Sequence, residues 1–465
     1  MDASFVERYG LSDNGFLPAC LPLARLPDPR YAPWETIIAD LPSSLRSNTL
    51  RQQVQSLSVL PTDGLLTEPE WRRAYLILSF LTHAYIWGDD PVADHLPPCI
   101  TVPLLAVSEH LELPPVATYA ALNLWNFTVT GGDKDTSSAV VFDDLGHLEA
   151  LHTFTGTGSE SWFYVVSVAM ECRAAALLPV LLGAVEAAAR DDMPSVTAAL
   201  HQFVACIDDV RVLLGRMHER CDPFVFFNQI RPFLAGSKNM AAHGLPRGVF
   251  YDRGGGQGEW RQLRGGSNGQ SSLLQFLDIV LGIEHTSDGH HTSSAGPTSA
   301  ARPAPKAETG FHDEVRGYMP GPHRRFLEHV AAQPSLRAFV IDARERLASD
   351  EQERMAAAFS QATEALAALR NKHLGIVTRY IIIPSRQQAA RELEAKSVTS
   401  VAEPPASQRR GLASRAACKD EAEMLKGTGG TELLPFLKQT RDETLQAGRF
   451  AESAAMLTSG ASRAP

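Results

Sequence analysis

Cysteine is scarce in this chain and scattered. Its six residues are Cys20, Cys99, Cys172, Cys206, Cys221 and Cys418, with no Cys-x-x-Cys pair among them. That spacing gives neither a thiolate metal site nor a disulfide framework, and it suits a reducing compartment. Positive charge is not in excess: 43 Lys and Arg stand against 53 Asp and Glu, for a net charge of -10. No basic stripe interleaves with aromatics, so nucleic acid is not an expected partner. Long hydrophobic runs are missing too. The most apolar stretch, residues 174–189, holds Pro179 and Glu186 and is too short to span a bilayer, so no membrane association is expected. The first residues, Met-Asp-Ala-Ser-Phe-Val-Glu-Arg, do not read as a signal peptide, and the expected location is cytoplasmic. There is no internal repeat and no His-Glu-x-x-His.

Alternating β-patterns are also scarce, while helical periodicity recurs along the chain, so the fold class is mostly α. Residues 1–105 are rich in proline and aromatics, with helical patterns over 36–57 and 68–87, and read as a small, mainly helical N-terminal domain. Residues 106–450 read as a large all-helical domain, with helices over 161–190 and 193–220 and another starting at Asp222-Pro223. The glycine-rich stretch 239–266 reads as loop. Residues 285–311 and 385–420 are polar or low in complexity and read as disordered inserts, and 451–465 as a disordered tail.

The stretch that organises the rest is a helix carrying Phe359, Ala362, Leu366, Leu369, His373, Ile376 and Tyr380. Their spacings of three and four put them on one face. Ser349-Asp350 offers its N-cap, and Pro384 is expected to end it. His373 therefore points toward the core. A core imidazole is either satisfied by its neighbours or a ligand to something held there, and spacing alone leaves both open.

Formal catalytic signatures fail on context. Gly427-Thr428-Gly429-Gly430-Thr431 lacks the Gly-Lys-Ser/Thr ending of a phosphate loop. Gly265-Gly266-Ser267-Asn268-Gly269 fits Gly-x-Ser-x-Gly but has no strand before it. What remains is a set of unusual residues on helices. Phe163 and Ser167 share a face, the serine being either bonded back to its own helix or functional. Arg231 stands among Phe226 and Phe227 and directly before Pro232, which disfavours regular α geometry at the arginine. An arginine so placed could clamp the carboxylate of an aromatic amino acid.

Six ordered motifs carry a resemblance. They are Ser-Trp-Phe-Tyr-Val-Val-Ser (161–167), Phe-Phe-Asn-Gln-Ile-Arg-Pro-Phe-Leu-Ala-Gly (226–236) and Gly-Gly-Ser-Asn-Gly-Gln-Ser-Ser (265–272), then Arg-Gly-Tyr-Met-Pro-Gly-Pro-His-Arg-Arg-Phe-Leu (316–327), Leu-Arg-Asn-Lys-His-Leu-Gly-Ile-Val-Thr-Arg-Tyr-Ile (369–381) and Lys-Gly-Thr-Gly-Gly-Thr (426–431). Together they resemble the indoleamine 2,3-dioxygenase family of haem enzymes. The resemblance implies insertion of O2 across the indole C2–C3 bond of L-tryptophan, giving N-formylkynurenine, with haem b as cofactor and O2 as co-substrate. It makes His373 the iron ligand, and Arg370 the partner of a haem propionate with Asp278 linked to it. Gly266, Ser267 and Asn268 fall against the haem edge. Arg231 is the carboxylate clamp, Tyr119, Phe163 and Phe226 surround the indole, and Ser167 lies near the iron-bound ligand or the indole N–H. Thr428 sits on a closing loop near the substrate ammonium. Ser167, Phe226 and Arg231 are the residues expected to act in catalysis.

The same resemblance implies a monomer and a cellular reductant for the iron. Asn268 and Asn123 depart from the family pattern, the second on a helix face that members tend to keep apolar. A haem-binding sensor of low turnover is the alternative expectation. A tetrameric tryptophan dioxygenase with a distal histidine is disfavoured by the serine at position 167.

Overall fold

The structure is a computed structural model and describes residues 3–130, 144–285, 311–346, 349–398 and 433–449. Proline and left-handed residues cut its first part into short pieces: α1 (Ala3–Arg8), α2 (Ala32–Ala39), α3 (Leu41–Ser47) and α4 (Leu50–Gln55). The single pattern over 36–57 is thus three helices, broken after Ala39 and again at Asn48, whose φ of 56° is left-handed. α5 (Glu68–Trp87) then runs unbroken. From Arg73 to Trp87 every residue is buried, as expected of a helix enclosed on all sides. α6 (Pro98–His110) packs on it.

The remaining helices are α7 (Gly158–Ala174), α8 (Leu177–Ala189), α9 (Met193–Gly215), α10 (Met217–Arg220), α11 (Pro223–Val225) and α12 (Arg231–Leu234), then α13 (Ser272–Leu281), α14 (Phe311–Arg316), α15 (Gly321–Ala331), α16 (Leu336–Arg344), α17 (Asp350–Val377), α18 (Ile383–Val398) and α19 (Leu433–Ala447). The long helix α17 lies along α9 and α19, and α7 and α8 pack on α9 as well. Buried apolar residues from Tyr9 to Ala447 form one continuous core. The mostly α class holds.

Four readings change. Residues 161–190 form two consecutive helices, and Gly158–Ala189 together is long and apolar enough to cross a membrane, longer than 174–189 alone suggested. Of its most apolar window, 61% is buried inside the protein. The glycine-rich stretch 239–266 holds a hairpin of β4 (Val249–Gly254) and β5 (Gln257–Arg261), with β1 (His95–Leu96) added parallel to β4. Gly254, Gly255 and Gly256, all at positive φ, make its turn without steric cost. A second small pairing joins β2 (Thr128–Val129) to β3 (Leu148–Glu149).

Pro384 does not end the His373 helix. A π-helical turn over Thr378–Ile382 precedes it, in which the Ile383 N–H reaches back to the Thr378 carbonyl. The extra residue widens the turn where the proline ring would otherwise collide with the carbonyl four positions earlier. The helix continues as α18, so residues 385–398, counted from composition as part of an insert, are helical. Their alanines, arginines, glutamates and glutamines are good helix formers once a helix delivers the chain to them. The rest of that insert, and 286–310 of the other, fall outside the described residues.

Candidate functional site

α17 begins with a reciprocal cap. The Ser349 hydroxyl accepts from the Gln352 N–H at 3.3 Å, and the Gln352 side chain accepts from the Ser349 N–H at 2.8 Å. Asp350, Glu351 and Glu353 in the first turn complement the helix dipole. The apolar stripe then holds the helix against the core, with Phe359, Ala362, Leu366 and Leu369 buried. One turn further, Arg370, His373, Ile376 and Val377 border a cavity. Its volume is about 1640 Å³, counting the part open to solvent. α7 contributes Phe163, Val166 and Ser167. A π-helical turn over Ala120–Leu124 contributes Leu122 and Asn123, and the loop after β5 brings Gly266, Ser267, Asn268 and Gly269. Leu433, Phe436, Leu437 and Thr440 of α19 close another side.

His373 takes no hydrogen bond from any described residue, and burial lowers its pKa to about 4. The imidazole is therefore neutral with a lone pair available, the form that ligates a metal. Among the described residues no cluster of three or more His, Cys, Asp or Glu could hold a bare ion. A single imidazole in a large apolar cavity instead fits a metal carried by a macrocycle that supplies its other ligands.

Below His373 lies a charged cluster. Arg370 Nη2 donates to Asp278 Oδ1 at 2.5 Å and Oδ2 at 2.7 Å, and Nη1 donates to the Thr444 hydroxyl and, at 3.4 Å, the Thr440 carbonyl. Burial would raise the Asp278 carboxyl, but Arg370 and His285 hold it at about 2. His285 Nε2 lies 3.1 Å from Asp278 Oδ2 and its Nδ1 2.7 Å from Glu443 Oε2, with the His312 ring stacked on it at 4.1 Å. Burial opposes protonation of His285, yet the bonds to Asp278 and Glu443 raise its pKa. These contacts tie α13, α17 and α19 together around the cavity.

Arg231 stands at the start of α12, after a third π-helical turn over Phe226–Ile230. Its own backbone is regular α (φ -51°, ψ -38°), so the distortion expected at Arg231 lies in the preceding turn, where the Arg231 N–H bonds back to the Phe226 carbonyl. The same widening as before Pro384 accommodates Pro232. The guanidinium carbon lies 5.7 Å from the Phe227 ring centre, and burial lowers its pKa to about 10. The Phe163 and Phe226 rings meet at 4.9 Å.

The indoleamine 2,3-dioxygenase family model matches residues 5–447. The chain belongs to this family. It is 40% identical over 447 residues to an indoleamine 2,3-dioxygenase of Saccharomyces cerevisiae, covering 95% of this chain and 93% of that one. It is 39% identical over 445 residues to one of Aspergillus nanangensis, covering 95% and 97%. A 6-hydroxytryptophan 2,3-dioxygenase of Fusarium equiseti is 36% identical over 442 residues, covering 95% and 97%.

Of the residues that the dioxygenase resemblance singled out, His373, Arg370, Asp278, Ser267, Asn268, Phe163, Ser167, Phe226 and Arg231 all border this one cavity. Tyr119 does not. It is buried behind the wall, where its hydroxyl donates to Glu171 Oε1 at 2.9 Å. A desolvated phenol needs an acceptor, and that carboxylate supplies it. Thr428 falls outside the described residues.

Glu171 was missed, although it repeats the spacing of Phe163 and Ser167 on α7. It also accepts from the Ser271 hydroxyl at 2.7 Å, and burial raises its pKa to about 7. His285, His312 and the α19 side chains were missed for another reason. His312 and the α19 side chains border the cavity, and His285 contacts Asp278 and His312 behind it, from segments with no local spacing to announce them.

Two glycines show how close the loop after β5 comes. A Cβ on Gly265 would lie 1.9 Å from the Leu234 carbonyl oxygen, and one on Gly266 would lie 2.3 Å from Leu122 Cδ1. The backbone itself is the packing surface there.

Proposed function

We propose that this dioxygenase opens the indole ring of L-tryptophan or a related indoleamine with haem b held in the cavity around His373. The reaction breaks the C2–C3 bond, gives one oxygen atom of O2 to each carbon, and releases N-formylkynurenine without net loss of electrons. The observation that carries this reading is a neutral His373 without a partner among the described residues, bordering the same cavity as Arg231 and Ser167.

Haem, when bound, supplies the ferrous iron that activates O2. The protein supplies the rest. His373 holds the iron. Arg370, already oriented by Asp278, would pair with a propionate, and Ser267 and Asn268, which border the same cavity, would contact the macrocycle. Arg231 takes the substrate carboxylate, and Phe163 and Phe226 flank the indole. Ser167 offers its hydroxyl to the ring N–H. Tyr119 acts indirectly, bracing α7 through Glu171. Thr428 is assigned to the substrate ammonium by the family resemblance alone. A cellular reductant keeps the iron ferrous, and the protein works in the cytoplasm as a monomer.

The test is turnover by the reduced, haem-loaded protein given L-tryptophan and air. Growth of the formylkynurenine absorbance is expected. A stable oxygenated spectrum without product supports the sensor reading instead, and failure to take up haem at all overturns the assignment of the cavity.

A further inference from the structure

His285 stands behind the cavity wall with a carboxylate at each ring nitrogen. Nε2 lies 3.1 Å from Asp278 Oδ2 and Nδ1 2.7 Å from Glu443 Oε2, and the side chain is 9% exposed. A neutral imidazole has one N–H and one lone pair, so it donates to one carboxylate only and turns its lone pair on the other. Both contacts are hydrogen bonds only in the imidazolium. The other groups facing the ring are Arg370 on α17 and the stacked His312 on α14, which burial keeps neutral with a pKa of about 4.

Asp278 Oδ2 is shared. It accepts from His285 and, at 2.7 Å, from Arg370 Nη2. Arg370 and Asp278 border the cavity, with His285 one step further out. His285 does not touch a bound macrocycle, but it sets the charge that the macrocycle meets. With His285 protonated, Arg370 and His285 balance Asp278 and Glu443, and a propionate arriving at Arg370 leaves the cluster one net negative charge. With His285 neutral, the same arrival leaves two. Like charges held that close and out of water repel strongly. The propionate and the proton on His285 therefore favour each other, and by linkage each raises the affinity of the other.

We propose that His285 is a positioning residue for haem: its proton balances Asp278 and Glu443 so that Arg370 is free to take a propionate, and capture of haem is linked to proton uptake at His285. This rests on the haem reading of the cavity and adds the regulation of that site. Haem binding weakens as pH rises through the titration of His285, whose pKa the two carboxylates raise, so the window lies above about 6.5. His373, lowered to about 4, and Asp278, at about 2, keep one form throughout that window. Glu171, at about 7, does titrate there, but it meets Tyr119 and Ser271 rather than this cluster, and a variant at His285 leaves it in place.

The experiment uses the full-length protein and two macrocycles, ferric haem and its dimethyl ester, whose propionates carry no charge. Transfer to an excess of a haem-acceptor protein gives the dissociation rate. Calorimetry in buffers of different ionisation enthalpy counts the protons taken up on binding. For haem, dissociation is expected to quicken at least about fivefold as pH rises above about 6.5, with proton uptake in the same range. For the ester, and for haem on His285→Gln, both effects are expected to vanish. The ester arm needs no variant, so it decides the matter even where His285→Gln folds poorly. A role in packing alone would treat the two macrocycles alike and give no proton count. A wild-type rate that ignores pH, an ester as pH-dependent as haem, or a His285→Gln protein that keeps the wild-type slope each overturns the proposal. Retention of neither macrocycle at any pH overturns the haem reading itself, and the proposal falls with it.

Discussion

The Arg370 guanidinium grips both oxygens of Asp278, at 2.5 Å and 2.7 Å, with side chains 15% and 8% exposed. Removing one partner leaves the other's charge buried and uncompensated. Asp278→Ala is therefore expected to cost about 3–5 kcal/mol of unfolding free energy, read as a lower urea midpoint. The pH dependence has a definite sign. The folded-state pKa of Asp278, about 2, lies below its unfolded value, so the pair's contribution is complete above the unfolded pKa. It disappears as pH falls from about 4 toward 2. Wild type loses stability over that range, and Asp278→Ala loses less.

His285 gives the opposite sign. It faces Asp278 from α13, Glu443 from α19, His312 from α14 and Arg370 from α17, and its pKa is raised. Its contribution is complete below the unfolded histidine value of about 6.5 and is lost as pH rises through the folded one. Wild type is expected to lose urea resistance as pH rises above about 6.5, and His285→Gln to flatten that slope. An unchanged slope would show that His285 does not fasten α19 to the cavity.

These two contacts also show which parts of the molecule were legible in the sequence. The stripe from Phe359 to Tyr380 was, because a period of three and four needs only a helix and a core. Pro384 was misread as a terminator because a π-helical turn is not written in residue type, and the same device before Pro232 left Arg231 regular. The hairpin within 239–266 was hidden because its glycines form the turn while its strands are short and only β4 has buried residues. Of the site, the resemblance singled out nine side chains that border one cavity. Tyr119, which it also singled out, lies behind the wall, because the buried Glu171 carboxylate accepts its hydroxyl there.

Glu171 itself is a testable liability. Its carboxyl is raised to about 7 by burial, against the lowering effect of the Ser271 and Tyr119 hydroxyls. A carboxyl raised in the folded state binds a proton there that the unfolded chain has released, so folding stability falls as pH rises from about 4.3 to about 7. Glu171→Gln keeps the shape and both accepted bonds at its amide oxygen. It is expected to be more stable than wild type above neutral pH, by on the order of 3 kcal/mol, and near parity at pH ~5. A variant less stable than wild type at alkaline pH would mean that Glu171 is ionised and compensated by another group.

The two ligand assignments separate cleanly. His373→Ala is expected to lose haem, measured as the Soret-to-protein absorbance ratio after reconstitution, and normal haem content would remove it as the iron ligand. Arg231→Ala is expected to keep its haem and weaken L-tryptophan, with kcat/KM down about tenfold to a hundredfold. Unchanged kinetics there would exclude the carboxylate clamp.

The loop between β5 and α13 offers a paired test of close packing. At Gly265 an added methyl meets the backbone carbonyl of Leu234, with the Gly236 nitrogen 2.5 Å away, and neither can turn aside. At Gly266 the first obstacle is the far end of the Leu122 side chain, which can change rotamer. Gly265→Ala is therefore expected to cost about 1–3 kcal/mol or more, and to lower haem affinity because Ser267 and Asn268 shift with the backbone. Gly266→Ala is expected to cost less in stability but to narrow the cavity, since Leu122 borders it. Urea denaturation and haem transfer to an acceptor protein, measured on both variants, check the order. Equal effects would mean that the loop moves as a unit and that the Leu234 contact is not what holds it.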